Sequence, residues 1–172
     1  MRTSLIVAVA ANETIGCNGN LPWHLPEDMR RFRKLTSGHV VVVGRRTHQS
    51  ILKRLGHPLP DRTTVVVTRH PPQQRLQGLH YESSVGAALA VGRTIEATAG
   101  GREIFIIGGV MIYLATLPEV QRVYLTRIHA DFHGDARMPA GWLEKFVMVA
   151  QEKRRPAQQG RPPYTFLQYE RM

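Results

Sequence analysis

Apolar and amphipathic stretches alternate along this chain. The apolar stretches are rich in Val and Ile and predict buried strands near residues 4–11, 39–43, 63–68, 104–107 and 123–128. The amphipathic stretches between them predict helices near residues 27–36, 47–55, 85–97 and 110–116. Such alternation predicts an α/β fold in which helices cover both faces of a central, mostly parallel sheet.

The pattern changes after residue 128. Two strand-like stretches, residues 146–153 and 164–171, are separated by a Pro-rich segment at 156–163. They predict an antiparallel hairpin that closes one edge of the sheet. The chain has 172 residues, is 42% hydrophobic and contains no obvious linker or internal repeat, which predicts a single domain over residues 1–172.

The chain is strongly basic, with a formal net charge of +10 and a pI near 10.6. This charge raises nucleic acid as an alternative partner. The basic residues are nevertheless spread along the chain, and aromatic residues do not alternate with them. The one cluster, Lys153-Arg154-Arg155, is predicted at a solvated hairpin tip. Nucleic acid is therefore not expected, and the positive field favours small polyanionic ligands.

The lengths of the apolar stretches bear on the compartment, whereas the cysteine content says little about it. A single cysteine, Cys17, excludes an internal disulfide framework. The apolar stretch at 5–11, which follows Arg2, is too short for a secretory signal and fits a buried strand. No other stretch approaches the roughly 20 apolar residues of a membrane span. A soluble, cytoplasmic protein without a membrane segment is expected.

Residues 21–28, with the sequence LPWHLPED, place a carboxylate at the start of a predicted helix. Pro26 suits the first helical turn, because backbone N–H groups there have no hydrogen-bond partner within the helix and proline has no N–H. Asp28, Phe32 and Leu35 recur at helical spacing, so the acid shares a face with hydrophobic side chains. The opposite, solvated face is assigned to Arg30, Arg31, Arg33 and Lys34. An acid at this position can alternatively just cap the helix or complement its dipole.

Glycines and arginines follow several of the predicted strands. Gly108 and Gly109 lie between a buried strand and a helix, where backbone N–H groups can face a pyrophosphate without a Cβ in the way, although two glycines can equally form a simple turn. The segments Gly44-Arg45-Arg46-Thr47 and Thr68-Arg69 occupy similar positions, and guanidinium groups suit phosphate oxygens. The rigid loop at 56–62 delivers Arg62, whose natural bidentate partner is a carboxylate. Arginines in such turns can also be ordinary surface charges.

Two histidines and two acids at residues 129–135 raise the alternative of a metal site. Histidines four residues apart converge on a helix, whereas Gly134 and Pro139 predict a loop here. No metal is expected.

In kind and in order, these motifs closely resemble those of the dihydrofolate reductases, from about residue 4 to the C-terminus. Ile15-Gly16, ahead of the acidic segment, belongs to the same resemblance. The resemblance implies a sheet of about eight strands with an antiparallel C-terminal strand. It also implies NADPH-dependent reduction of 7,8-dihydrofolate to tetrahydrofolate, with hydride transfer to pterin C6 and protonation at N5, which supplies one-carbon metabolism. NADPH rather than NADH follows from Arg45 and Arg69, which would lie near the 2′-phosphate.

The resemblance implies a catalytic role for Asp28, which would hydrogen-bond the pterin and favour the protonated substrate. Thr126 would hydrogen-bond Asp28, and Trp23 would line the pocket. Leu21, in a mobile loop at about residues 12–24, would exclude bulk water. Asp135 would steady that loop.

The resemblance also implies two sets of binding residues. The further substrate-binding residues are Ile6, Ala8, Met29, Phe32, Ile51, Leu59, Arg62, Ile107 and Tyr113. The cofactor-binding residues are Ala8, Ile15, Asn20, Gly44, Arg45, Arg46, Thr47, Thr68, Arg69, Ile107, Gly108, Gly109, Val110, Met111 and Tyr113.

Three residues depart from the common pattern of the family. Met29 follows the acid where leucine is frequent, His48 stands where an aromatic is frequent, and Val110 stands where a small residue is common. None of these changes removes a catalytic group. A pyrimidine reductase of riboflavin synthesis is the rival enzyme, but it would not need the acid at the start of the helix. A monomer that binds dihydrofolate and antifolate inhibitors is expected.

Overall fold

A computed structural model describes all residues, 1–172. Ten strands are present: β1 Arg2–Ala10, β2 Thr14–Gly16, β3 Val40–Gly44, β4 Thr63–Val67, β5 Leu79–Glu82, β6 Glu103–Ile106, β7 Arg122–Ile128, β8 Ala136–Arg137, β9 Phe146–Arg154 and β10 Tyr164–Arg171. The helices are α1 Pro26–Thr36, α2 Arg45–Leu55, α3 Val85–Thr98 and α4 Val110–Thr116, and a short 3₁₀ turn follows at Leu117–Glu119.

Eight of the strands form one sheet in the order β5-β4-β3-β6-β1-β7-β10-β9. The first six in this order pair in parallel, and β10 pairs antiparallel with both β7 and β9. The predicted mostly parallel sheet and its antiparallel C-terminal hairpin at one edge are therefore confirmed. Strands β2 and β8 pair with each other outside this sheet.

The central strands are buried because helices pack against both faces of the sheet. All four valines of β3 are buried, as the continuous apolar pattern predicts for a parallel strand. Helix α3 lies over this region and approaches closely at Gly92, where an added Cβ would lie 3.3 Å from Val40. Parallel strands end at the same side of the sheet, which places the segments after β1, β3 and β6 next to one another.

The structure differs from the sequence-based elements in a few places. Strand β5 was not predicted, because its sequence LHYE lacks an apolar run and only Leu79 is buried. The short strands β2 and β8 were also missed. Helix α2 begins at Arg45, two residues earlier than expected, since Gly44 serves as its N-cap. The apolar N-terminal stretch forms β1. None of the helices combines the length and apolar character that crossing a membrane requires.

Candidate active site

A cavity of about 510 Å³ opens beside the carboxyl ends of the parallel strands. Its inner wall is formed by Ile6 and Ala8 of β1 and by Ile107, which follows β6. Helix α1 contributes Asp28, and α2 contributes Ile51. The walls are thus mainly apolar with a few polar groups, which is the usual character of a small-molecule site.

Asp28 is the carboxylate of this cavity. The Thr126 hydroxyl donates a hydrogen bond to Asp28 Oδ1 at 2.5 Å, as predicted. Burial raises the pKa of Asp28 above its ordinary value, while the Thr126 hydrogen bond and the charge of Arg31 oppose this increase. The N-cap of α1 is Leu25, which makes no side-chain hydrogen bond. Asp28 therefore faces the cavity rather than capping the helix.

Arg31 does not lie on the solvated face of α1, so that part of the sequence-based assignment was wrong. Its guanidinium carbon lies 4.4 Å from the ring centroid of Phe166 and 5.7 Å from that of Tyr124. Burial lowers the pKa of Arg31, and the charge of Asp28 is the largest opposing effect. The stacking on two rings compensates part of the cost of burying the cation.

Tyr113 of α4 closes the cavity on the side of β1. Its hydroxyl donates a hydrogen bond to the carbonyl of Ile6 at 2.9 Å. Burial raises the pKa of Tyr113, and the nearby Asp28 carboxylate adds to this effect. Tyr113 is therefore an uncharged, fixed wall of the cavity at neutral pH.

Arg62 lies at the outer end of the cavity. Its Nε donates to the Thr36 hydroxyl at 3.1 Å and its Nη1 to the carbonyl of Pro60 at 2.6 Å. Burial lowers the pKa of Arg62, with a further decrease from nearby Arg33 and an opposing effect from Asp61. Arg62 forms no ion pair within the chain. A guanidinium without an acid of its own chain can pair with an external carboxylate.

The Gly108-Gly109 peptide bond is cis, and both residues lie where a side chain would obstruct the turn. A Cβ on Gly108 would lie 3.1 Å from the Tyr113 ring, and one on Gly109 would lie 3.1 Å from Thr47 Oγ1. The Gly44 N–H donates to the Gly108 carbonyl at 2.8 Å, so the turns after β3 and β6 are joined. This bare backbone fits the close approach of a pyrophosphate.

Comparison with known proteins places the chain in a family. The family model described as dihydrofolate reductase matches residues 2–171. The dihydrofolate reductase of Bacillus subtilis (strain 168) is 38% identical over 168 residues, covering 98% of this chain and 94% of that protein. Dihydrofolate reductase type 3 of Salmonella typhimurium is 44% identical over 159 residues, covering 89% and 91% of the two chains. This chain belongs to the dihydrofolate reductase family.

A solved dihydrofolate reductase has the same fold. The enzyme from Enterococcus faecalis, complexed with NADP(H) and RAB-propyl, superposes with a TM-score of 0.81 at 28% identity, and the match covers 99% of this chain and 96% of that one. The predicted family, fold, NADPH cofactor and activity are confirmed. The chain is an NADPH-dependent oxidoreductase that reduces dihydrofolate to tetrahydrofolate. The rival assignment to a pyrimidine reductase is thereby excluded.

The structure brings most of the predicted dihydrofolate reductase site together. The predicted residues that line the cavity are Ile6, Ala8, Ile15, Asn20, Leu21, Asp28, Met29, Phe32, Thr47, Ile51, Leu59, Arg62, Ile107, Gly109, Val110 and Tyr113. Thr126 and Trp23 are buried beside the cavity without lining it. Trp23 packs edge-on against Phe132, with ring centroids 5.2 Å apart.

Seven predicted cofactor residues lie outside the cavity wall. They are Gly44, Arg45, Arg46, Thr68, Arg69, Gly108 and Met111. Arg45, Arg46 and Arg69 are exposed beyond the strand ends. Met111 is 77% exposed, because the short helix α4 turns it toward solvent.

Ten residues line the cavity without having been predicted. They are Val7, Gly16, Gly19, Arg30, Arg33, Ser50, Arg54, Leu55, Pro60 and Ala136. Arg54 and Leu55 follow Ile51 by three and four residues on α2, so helical spacing could have identified them. Ala136 comes from the other end of the chain and gave no sequence signal.

The segment between β1 and α1 is held by contacts from distant residues. The Asn18 N–H donates to the Asp135 carboxylate at 3.1 Å, the contact that the family resemblance implies. The Ser50 hydroxyl also donates to the carbonyl of Gly19.

In the segment considered as a metal site, His129 Nε2 forms a 2.7 Å hydrogen bond with the Thr165 hydroxyl. No group of three or more His, Cys, Asp or Glu side chains is arranged to hold a metal.

Proposed function

We propose that the 510 Å³ cavity is where this dihydrofolate reductase reduces 7,8-dihydrofolate, with Asp28 as the residue that promotes protonation of the substrate. The observation that supports this assignment is that Asp28 is a carboxylate in an apolar wall, held by Thr126. Its two oxygens can accept hydrogen bonds from the N3 and 2-amino groups of the pterin. An anion at this position favours the substrate protonated at N5, which receives its proton through water.

The residues around Asp28 orient the substrate. Ile6, Ile107 and Tyr113 form the wall on which the pterin ring packs, while Phe32 and Leu59 contact the aminobenzoyl ring. Phe32 is itself fixed by Arg62, whose guanidinium carbon lies 5.7 Å from its ring centroid. Arg62 then binds a carboxylate of the glutamate tail.

The opposite side of the cavity fits NADPH. When bound, NADPH supplies the hydride that pterin C6 accepts. The Gly108-Gly109 backbone and Thr47 would hold the pyrophosphate at the N-termini of α4 and α2. Arg45 and Arg69 are exposed at neighbouring strand ends and would bind the 2′-phosphate. Leu21, which is 38% exposed at the cavity edge, would cover the stacked rings and exclude water.

The protein is further proposed to act as a cytoplasmic monomer and to bind antifolate inhibitors in the same cavity. The mainly apolar wall with a single acid supports inhibitor binding, because a cationic heterocycle can pair with Asp28 there. Nucleic acid is not proposed as a partner, since five of the arginines, among them Arg122 and Arg127, pair with acids of the chain.

The experiment is the loss of NADPH absorbance when purified protein meets 7,8-dihydrofolate, run beside NADH. Rapid oxidation with a marked preference for NADPH is expected, because only NADPH carries the 2′-phosphate. Equal rates with NADH and NADPH would contradict the proposal that Arg45 and Arg69 bind the 2′-phosphate. Folded protein without turnover would overturn the proposed site.

A further inference from the structure

Arg31 is half-buried on the inner side of α1. It stacks on Phe166 of β10 at 4.4 Å and approaches Tyr124 of β7 at 5.7 Å. Its Nη1 is buried and has no hydrogen-bond partner. No carboxylate of the chain lies within ion-pair distance of Arg31. Taking part of a cation out of water costs free energy, and no ion pair within the chain offsets that cost here.

Arg31 lies one helical turn after Asp28, and residues three apart share a helix face. The neighbouring arginines Arg30 and Arg33 line the cavity, but Arg31 does not. Arg31 therefore lies on the same side of α1 as Asp28 but outside the wall of the cavity. Electrostatics agree with this placement, because each of the two charges acts on the pKa of the other.

We propose that Arg31 is a positioning residue for Asp28: a fixed, partly buried cation, one helical turn away, that favours the ionised carboxylate. This inference rests on the proposed role of Asp28. The proton of the reaction is shared between the Asp28 region and pterin N5, and a nearby cation disfavours it at either position. The expected direction is therefore the same wherever the proton resides.

The other groups that face Asp28 do not replace this effect. Thr126 of β7 contributes a hydrogen bond and no charge. Tyr113 of α4 and Tyr164 of β10 also face Asp28, but burial raises the pKa of both phenols, so they are neutral at working pH. Arg31 is the cation whose charge acts on Asp28.

Two acids also lie near this region, and both are paired with Arg154. Glu152 of β9 acts on Arg31 but forms an ion pair with Arg154 at 2.5 Å. Glu27, next to Asp28 in sequence, lies 3.3 Å from Arg154 and accepts a hydrogen bond from Tyr164. The charge of Arg31 consequently remains available to Asp28.

The test is the pH dependence of dihydrofolate reduction in Arg31→Met, Arg31→Lys and Lys34→Met. Methionine keeps an unbranched apolar chain that can pack on Phe166 and Tyr124 without the charge. Lys34→Met is the matched control, because Lys34 is exposed on the same helix, one turn further on. Arg31→Gln provides a second neutral variant if Arg31→Met does not fold.

The neutral Arg31 variants should shift the alkaline limb of the pH profile to higher pH. For each protein, the rate at a pH above the parent's midpoint is divided by that protein's own rate at acid pH. This ratio should be about threefold higher for the neutral Arg31 variants than for the parent. Arg31→Lys should restore most of the parental profile, and Lys34→Met should retain it. Loss of packing alone would lower the rate at all pH values without moving the limb.

An unshifted limb in a folded neutral variant would overturn the inference. Asp28→Asn, measured in parallel, separates this result from failure of the proposed function. If Asp28→Asn displaces the limb toward acid pH and Arg31→Met does not move it, the role of Arg31 alone is overturned. If Asp28→Asn keeps the parental limb, the proposed role of Asp28 and this inference both fail.

Discussion

The Thr126 hydroxyl donates a hydrogen bond to Asp28 Oδ1 at 2.5 Å, joining strand β7 to the first turn of helix α1 across 98 residues of sequence. Thr126 is 2% exposed and is held by pairing of β7 with both β1 and β10. The donor is thus fixed on an interior strand of the sheet. This contact orients the carboxylate and stabilises its ionised form.

Removal of this hydrogen bond should change the pH dependence of the reaction. Because the Thr126 hydroxyl lowers the pKa of Asp28, Thr126→Val should raise that pKa further and move the alkaline limb of the activity profile to higher pH. Thr126→Ser keeps the hydroxyl and serves as the control. Steady-state rates across a buffered pH series provide the measurement, and coincident limbs for the valine and serine variants would contradict the expectation.

Asp28 should also lower the stability of the protein at neutral pH. Its folded-state pKa is raised, so the folded state retains the proton to higher pH than the unfolded state does. The destabilisation by Asp28 is absent below the ordinary carboxyl pKa. It grows as the pH rises from there and is complete above the folded-state pKa. Asp28→Asn should therefore raise the free energy of unfolding near pH 7 by about 1 kcal/mol, or the Tm by roughly 2–4 °C.

Thermal unfolding of Asp28→Asn and parent at neutral pH and near pH 4 measures this difference. The gain should shrink at the acidic pH. An asparagine variant that is less stable than the parent at neutral pH would show that the ionised carboxylate is fully compensated in the folded state.

Arg62 should affect substrate affinity more than turnover. Arg62→Leu removes the guanidinium proposed to bind the glutamate carboxylate, so KM for dihydrofolate should rise about tenfold to a hundredfold with little change in kcat. Arg155→Leu is the control, because Arg155 is exposed outside the cavity. Initial rates at varied dihydrofolate and saturating NADPH provide the values. A comparable loss of kcat would instead place Arg62 in the chemical step.

The turn after β6 should tolerate no side chain at Gly108. This residue has φ +109°, and an added Cβ would lie 3.1 Å from the ring of buried Tyr113. Gly108→Ala should destabilise the fold by about 1–3 kcal/mol and weaken NADPH binding at least about tenfold. Gly86→Ala, at a helical site with no heavy atom within 4 Å, should be neutral or slightly stabilising. Chemical denaturation and NADPH fluorescence titration of both variants test the contrast.

The sheet and the position of the acid could largely be predicted from the sequence. Valine-rich strands such as Val40–Gly44 carry a continuous apolar signal because both faces of the sheet are covered. Pro26 and the spacing of Asp28, Phe32 and Leu35 predicted the start and inner face of α1. Strand Leu79–Glu82 could not be predicted in this way, because an edge strand needs little burial.

The orientation of Arg31 could not be predicted from residue type. Charged side chains are seldom buried, so an arginine in an amphipathic helix is assigned to the solvated face. Its spacing of three residues from Asp28 is compatible with the inner face, but the rings that receive it, Tyr124 and Phe166, belong to distant strands. Contacts between residues far apart in the sequence produce no local sequence pattern. The same reason accounts for Ala136, which reaches the cavity through the pairing of β8 with β2.

The most direct test of the account is the rate of dihydrofolate reduction by Asp28→Asn and by the parent across a pH series, with NADPH saturating. The asparagine variant should fold and bind NADPH like the parent. At neutral pH it should lose activity by about a hundredfold or more, and the deficit should narrow in acid, where solvent can protonate the substrate directly. An asparagine variant as active as the parent at neutral pH would contradict the proposal that Asp28 promotes protonation of the substrate.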